Sequence, residues 1–196
     1  MGLSHVEMVS LLIQGGAKLV QIREKTASPR DFYNEAKEAV TLAHEHQVKI
    51  IINDRVDIAR AVGADGVHLG QDDLPPEHAR KLMGDSAIIG YSTHSIDQAI
   101  AANRLPVDYI AIGPIFQTSS KENPDPTVGL EMLRMIKPLI DKPLVAIGGI
   151  TLSTAPDTWA AGADSVAIIS DLYTHGDVTK RTREFCFLST ERGRIS

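Results

Sequence analysis

Apolar positions along the chain fall into two alternating patterns. Short unbroken runs, such as "KIIIN" from Lys49, "AIIGY" from Ala87 and "LVAIGG" from Leu144, are apolar at successive positions, as strands buried on both faces are. Between them lie longer stretches with apolar residues three and four apart, the spacing of amphipathic helices. Three strand openings echo one another, "GAKLVQI" at Gly16, "GADGVHL" at Gly63 and "GADSVAI" at Gly162, with "PVDYIAI" at Pro106 as a degenerate fourth. Each copy follows an amphipathic stretch, and one further apolar run separates successive copies. The repeat is therefore strand, helix, strand, helix.

Start signals locate the helices. Ser28 followed by Pro29 and Asp31 predicts a helix from Ser28 to about Glu45. Others are expected over about Pro75 to Met83, Ile96 to Asn103, Gly129 to Leu139 and Thr154 to Ala161. Near the start, "SHVEMVSLLIQ" reads as a helix with Ser4 as N-cap. Alternating strands and helices with apolar strands imply a parallel sheet covered by helices. Four double units point to a (β/α)8 barrel, with an open doubly wound sheet as the alternative. Only seven strands are visible, so the expectation is a TIM barrel lacking its first strand, with a truncated start or another mode of closure as explanations.

Composition narrows the class. A chain of 196 residues with 43% hydrophobic content supports one domain, read as 1–196. A net charge of −5 offers no general attraction to nucleic acid or anionic lipid. The single cysteine, Cys186, excludes an internal disulfide and gives no zinc spacing. There is no signal-peptide pattern and no long apolar run, so the expected setting is the cytoplasm, with no membrane and no nucleic-acid partner. A homo-oligomer is compatible with the sequence.

In parallel barrels the chemistry lies at the C-terminal strand ends. The first visible strand ends "QIREK", which directs Gln21, Arg23 and Lys25 to one side. The next ends in Asn53 and Asp54, with no Gly or Pro to make a turn, and the loop after "GVHLG" carries Gln71, Asp72 and Asp73. Helix capping accounts for one of that last pair of carboxylates and not both. Carboxylates from adjacent strand ends repel unless a divalent cation such as Mg²⁺ lies between them. Then come Ser92, Thr93 and His94, and a long loop with Thr118, Ser119, Ser120 and Lys121, the length of a functional lid. Gly148 and Gly149 stand where barrels of this kind cradle phosphate. His44 and His46 are expected to be solvated surface, His68 a satisfied barrel residue, and Trp159 and Tyr173 packing.

Taken in order, "QIREK", "IINDRVDIARAVGADGVHLGQDDLP", "GYSTHS", "YIAIGPIFQTSSK" and "AIGGIT" resemble the thiamine phosphate synthase family from about Gly15 to Leu172. The resemblance implies a (β/α)8 barrel that joins a hydroxymethylpyrimidine pyrophosphate to a hydroxyethylthiazole phosphate with Mg²⁺ and releases pyrophosphate. By position it implies that Gln21 reads the pyrimidine and that Arg23, Lys25, Asn53 and Lys121 hold the pyrophosphate. It further implies Asp54 and Asp73 as Mg²⁺ ligands and Ser92 beside the reacting groups. Thr118, Ser120, Gly149 and Ser170 would receive the thiazole phosphate, and Ser92, Lys121 and Arg23 would be the catalytic set. Pyrophosphate departure needs negative charge neutralised on the leaving group more than it needs proton transfer, which matches a rim rich in cations and carboxylates. Gln117, Ser120 and Asp171 depart from the usual motif, Asp171 by placing a carboxylate beside the expected phosphate site. A related thiazole tautomerase, an isomerase on the same barrel, and a non-catalytic phosphate-ligand-binding barrel are the alternatives.

Overall fold

A computed structural model describes residues 2–118, 126–174 and 176–192. Among the described residues, seven strands form one sheet: β1 (Leu19–Ile22), β2 (Lys49–Asn53), β3 (Gly66–Leu69), β4 (Ile88–Thr93), β5 (Tyr109–Ile112), β6 (Leu144–Ile147) and β7 (Ser165–Ala167). All six pairings are parallel, and the strands lie in sequence order from β1 to β7. A doubly wound sheet reverses its strand order partway, so that alternative falls. Each of β1 and β7 has a single strand neighbour. Exposed apolar residues mark both edges: Leu19 in β1 and Ile169 just past β7.

Helices α1 (His5–Gln14), α2 (Pro29–Glu45), α3 (Val56–Val62), α4 (Pro76–Met83), α5 (Ile96–Ala102), α6 (Gly129–Ile136), α7 (Ala155–Ala160), α8 (Ser170–Tyr173) and α9 (Val178–Arg192) occupy the connections and the C-terminal stretch. The start signals work as read. Ser4 Oγ accepts from Glu7 N while the Glu7 carboxylate accepts from Ser4 N, and Ser28 Oγ accepts from Asp31 N. Alternate side chains of each strand face the helices and make the main core. Ile50, Ile52, Val67, Leu69, Ile89, Ile110, Ile112 and Leu144 pack there with Phe32, Leu133 and Ile136 from the helices.

Three readings change. Val56–Val62 is helical although nothing in "NDRV" signals a start: Arg55, its N-cap, makes no side-chain cap bond. Asp54 makes the turn itself, at φ 61°, in the left-handed region that Asp and Asn tolerate better than most residues. His44 is not merely solvated, because its Nε2 lies 2.9 Å from Asp65 Oδ2. Tyr173 is exposed, whereas Trp159 is buried as expected.

The aspartate of the repeat has a recurring job at the sheet's N-terminal end. Asp65 Oδ2 accepts from Ile50 N, Asp108 Oδ2 from Ile89 N and Asp164 Oδ2 from Leu144 N, at 2.8, 2.7 and 2.8 Å. Each also pairs with a basic side chain from the helical segment that precedes the neighbouring strand: His44, Arg80 or Lys137. A carboxylate thus satisfies an amide at the start of the neighbouring strand and ties that strand to a helix. In the first copy Lys18 holds this place. Replacing Asp108 with Ala strands the Ile89 amide and should cost about 1–3 kcal/mol in urea unfolding, with the turnover of folded protein unchanged. A stability equal to wild type would show that these braces carry no weight.

Candidate active site

Because the strands are parallel and in sequence order, their C-terminal ends share one rim, and this rim collects the expected residues. Arg23 and Lys25 follow β1, Asn53 ends β2, Asp54 follows it, and Ser92 lies near the end of β4. Gly149 lies two residues past β6, and Ser170 opens α8 just past β7. Thr118 lies in the connection after β5; Ser119, Ser120 and Lys121 fall outside the described residues.

Contacts join two groups on the rim. In the first, Lys25 Nζ is bonded to Asp54 Oδ2, and the Asp73 carboxyl meets the Asp54 carboxyl. Burial pushes the Asp73 carboxyl above the ordinary carboxylate range, the Asp54 charge pushes the same way, and Lys25 opposes it. Asp73 does not cap α4, whose N-cap is Pro75 with no side-chain bond. One of its oxygens accepts instead from Gly70 N at 2.7 Å, which pins the loop after β3. Glu24, absent from the sequence reading, pins the loop after β1. Its carboxylate accepts from Thr26 N and Ala27 N and is held down to about 2 by those amides. Two rigid loops therefore present Lys25, Asp54 and Asp73 to one another.

This pair of carboxylates fits a hard divalent cation. Mg²⁺ takes one or two carboxylates and completes its shell with water and phosphate oxygens. A dedicated protein cage is not present, since no group of three or more His, Cys, Asp or Glu among the described residues could hold a metal.

The second group lies inside the curve of the strands. His68 Nδ1 is 2.8 Å from the Tyr109 hydroxyl, and His68 Nε2 is 2.8 Å from Ser92 Oγ. The Gln21 side chain acts on the same Tyr109 hydroxyl, pulling the phenol's pKa down against the push of burial. Burial pushes His68 down to about 4, partly opposed by the Asp54 charge, and pushes the Tyr109 phenol up. Both are neutral near pH 7. Tyr109 belongs to β5 and His68 to β3, so the phenol must cross β4. Gly90 permits it: a Cβ there would lie 2.0 Å from Tyr109 Cζ and 2.5 Å from His68 Nδ1. The Asp54 amide donates to the His68 carbonyl at 2.8 Å, which joins the two groups through the main chain.

Close contacts describe the glycine pair and Asp171. Gly148 and Gly149, at φ 88° and 66°, lie against the Pro114–Gln117 segment so closely that a Cβ on Gly149 would sit 2.5 Å from Gln117 O. Asp171 turns away from the rim. It is buried, accepts from Leu152 N and faces the Arg181 guanidinium at 2.9 Å, so it braces the loop after β6 against α9. A depression of about 660 Å³ between α1 and α2 is lined by Glu7, Asp31, Glu35 and Glu38 and would repel phosphate. No helix among the described residues is long and apolar enough to cross a membrane.

Comparison with known proteins agrees with this geometry. Residues 2–172 match the family model described as thiamine monophosphate synthase. Thiamine-phosphate synthase of Methanospirillum hungatei is 41% identical over 187 residues, covering 95% of this chain and 91% of that protein. The enzyme of Koribacter versatilis is 49% identical, covering 89% and 81%. A solved thiamine phosphate pyrophosphorylase from Pyrococcus furiosus superposes with a TM-score of 0.86 at 37% identity, over 95% of this chain and 89% of that one. With its seven parallel strands, its rim of charged strand ends and these relatives along almost its whole length, the chain belongs to the thiamine monophosphate synthase family.

Proposed function

We propose that the chain condenses 4-amino-5-hydroxymethyl-2-methylpyrimidine pyrophosphate with hydroxyethylthiazole phosphate to give thiamine phosphate and pyrophosphate. The observation that carries this reading is the meeting of Lys25, Asp54 and Asp73 on one rim, a combination that neutralises a diphosphate with the help of a divalent cation. In the reaction the bond from the pyrimidine methylene carbon to the diphosphate oxygen breaks, and its electron pair leaves on the diphosphate. The thiazole nitrogen then supplies the pair for the new C–N bond.

Mg²⁺ held by Asp54 and Asp73 would screen the charge that builds on the departing oxygens. Lys25 pairs with Asp54, and Arg23 follows the same strand; both would take diphosphate oxygens, with Asn53 donating from the end of β2. Lys121 is assigned to the same group. Gln21 would read the pyrimidine edge and Ser92 would sit beside the reacting carbon. Thr118, Ser120 and the backbone at Gly149 and Ser170 would receive the thiazole phosphate. Soluble, phosphorylated substrates fit a cytoplasmic enzyme. The family unit we infer is a closed (β/α)8 barrel, in which one more parallel strand between β7 and β1 would cover Leu19 and Ile169.

The test is direct. With both substrates and Mg²⁺ the protein should form thiamine phosphate, and Lys121→Ala should lower turnover at least about tenfold. Thermal stabilisation by each substrate with no product formed would replace the enzyme with a phosphate-ligand-binding barrel.

A further inference from the structure

We infer that Asp171 and Arg181 act together as positioning residues for the phosphate of the thiazole substrate: Asp171 ties the loop after β6 to the turn after β7, and Arg181 cancels the charge that this tie sets beside an anion. The inference deepens the proposed function and rests on it for the place of that phosphate, which is assigned to the backbone at Gly149 and Ser170, one segment on each side of the tie.

The tie is a single hydrogen bond between two loops. Asp171 Oδ2 accepts from Leu152 N at 3.1 Å, three residues past Gly149, and Asp171 itself follows Ser170 in the chain. The ladder between β6 and β7 stops at Ile147 and Ala167, so beyond that point this side chain sets the spacing of the two segments. A serine, threonine or asparagine could accept from the same amide without bringing a charge.

The charge therefore needs an answer. A carboxylate one residue from a phosphate site repels the ligand, and burial leaves the repulsion poorly screened, since the Asp171 side chain is only 7% exposed. Arg181 supplies the answer. Its Nε faces Asp171 Oδ2 at 2.9 Å and its Nη2 donates to Asp171 Oδ1 at 3.4 Å, while Nη1 donates to the more exposed Glu184 at 3.0 Å. Water screens Glu184, so the carboxylate that depends on the guanidinium is the buried one.

The arginine is in turn held by its helix. Packing of α9 against both α1 and α8 buries Val178 and Phe185, and Thr179 Oγ1 donates to Leu11 O at 3.1 Å. The helix before β1 and the helix after β7 stand at opposite edges of the sheet. By touching both, α9 joins the two edges, and the Arg181–Asp171 pair fastens its α8 end.

Arg181→Met keeps much of the side-chain volume and removes the charge. KM for hydroxyethylthiazole phosphate should rise about tenfold, from a buried carboxylate left facing an anion, while KM for the pyrimidine pyrophosphate stays within about twofold. Arg181→Lys, which keeps the charge, should recover most of the loss. Adding Asp171→Asn to Arg181→Met should recover it too, because asparagine still accepts from Leu152 N; adding Asp171→Ala should not, because the tie is gone. Equal rises in both KM values would overturn the inference, since general loosening does not choose between substrates. So would rescue by alanine as complete as rescue by asparagine. If Arg181→Met is too unstable to assay, the single variants decide: Asp171→Ala should show the higher KM for the thiazole phosphate and faster hydrogen exchange at the Leu152 amide than Asp171→Asn, and equal values sink the idea. Should the wild-type protein form no thiamine phosphate, the proposed function fails. Calorimetric binding of hydroxyethylthiazole phosphate to the same variants then decides this inference, and no binding to wild type counts against it.

Discussion

Asp54→Asn should lower thiamine phosphate formation by about a hundredfold or more, the usual scale for removing one electrostatic partner of developing charge. Asparagine is the informative replacement. Asp54 sits at φ 61°, a conformation that asparagine adopts readily and alanine does not, and its amide donates to the His68 carbonyl. Asn keeps the turn and that bond and removes only the charge. The folded state should change little, because the lost partner, Lys25, is half exposed, and exposed pairs contribute no more than about 1 kcal/mol. Chelating divalent ions should reproduce the loss in wild type and be reversed by added Mg²⁺, whereas the variant should respond weakly to both treatments. Full activity in Asp54→Asn, or a wild-type enzyme indifferent to chelation, would remove the metal assignment from this pair.

The largest effect on stability should come from Gly66→Ala. Gly66 is held in register between Ile51 of β2 and Ile88 of β4. A Cβ there would lie 1.9 Å from the Ile88 carbonyl oxygen and 2.9 Å from Ile51 Cδ1. The first neighbour is main chain at the opening pair of the β3–β4 ladder and cannot step aside without loosening that pairing. A loss of about 3 kcal/mol is expected from such overpacking, or roughly 6–12 °C in melting temperature for a chain of this length. Gly63→Ala is the control. At φ 70° with nothing within 4 Å of the added carbon, it carries only the backbone penalty of about 1–2 kcal/mol. If the two variants melt together, the steric account of Gly66 is wrong.

Much of this molecule could be read before any coordinates, for physical reasons that differ between parts. The four repeat copies became β1, β3, β5 and β7, and the intervening apolar runs became β2, β4 and β6. A strand buried on both faces has little choice of residue, so the sequence advertises it. The helix at Ser28 declared itself because capping is local chemistry confined to four residues. Helix α3 stayed hidden for the complementary reason: its turn is made by Asp54 in a backbone state that no neighbouring residue type announces. At the rim, Lys25, Asp54 and Asp73 could be brought together from register alone, because parallel strands in sequence order put all their C-terminal ends on one side. The Tyr109, His68 and Ser92 chain could not. It depends on a side chain crossing the space left by a missing Cβ on a third strand, a fact of volume that a linear pattern does not encode. Asp171 is a similar case, since whether a carboxylate faces a ligand or an arginine ten residues on is settled by packing against α9.

The aspartate braces have an evolutionary corollary. Each one is self-contained: the carboxylate, the amide it accepts from and the basic side chain it pairs with all lie within one helix–strand–helix–strand segment of the chain. Tandem duplication of the corresponding stretch of gene would carry the fastening along with both parts it fastens. A larger architecture could then grow by copying alone, with no new joint to be invented at each addition.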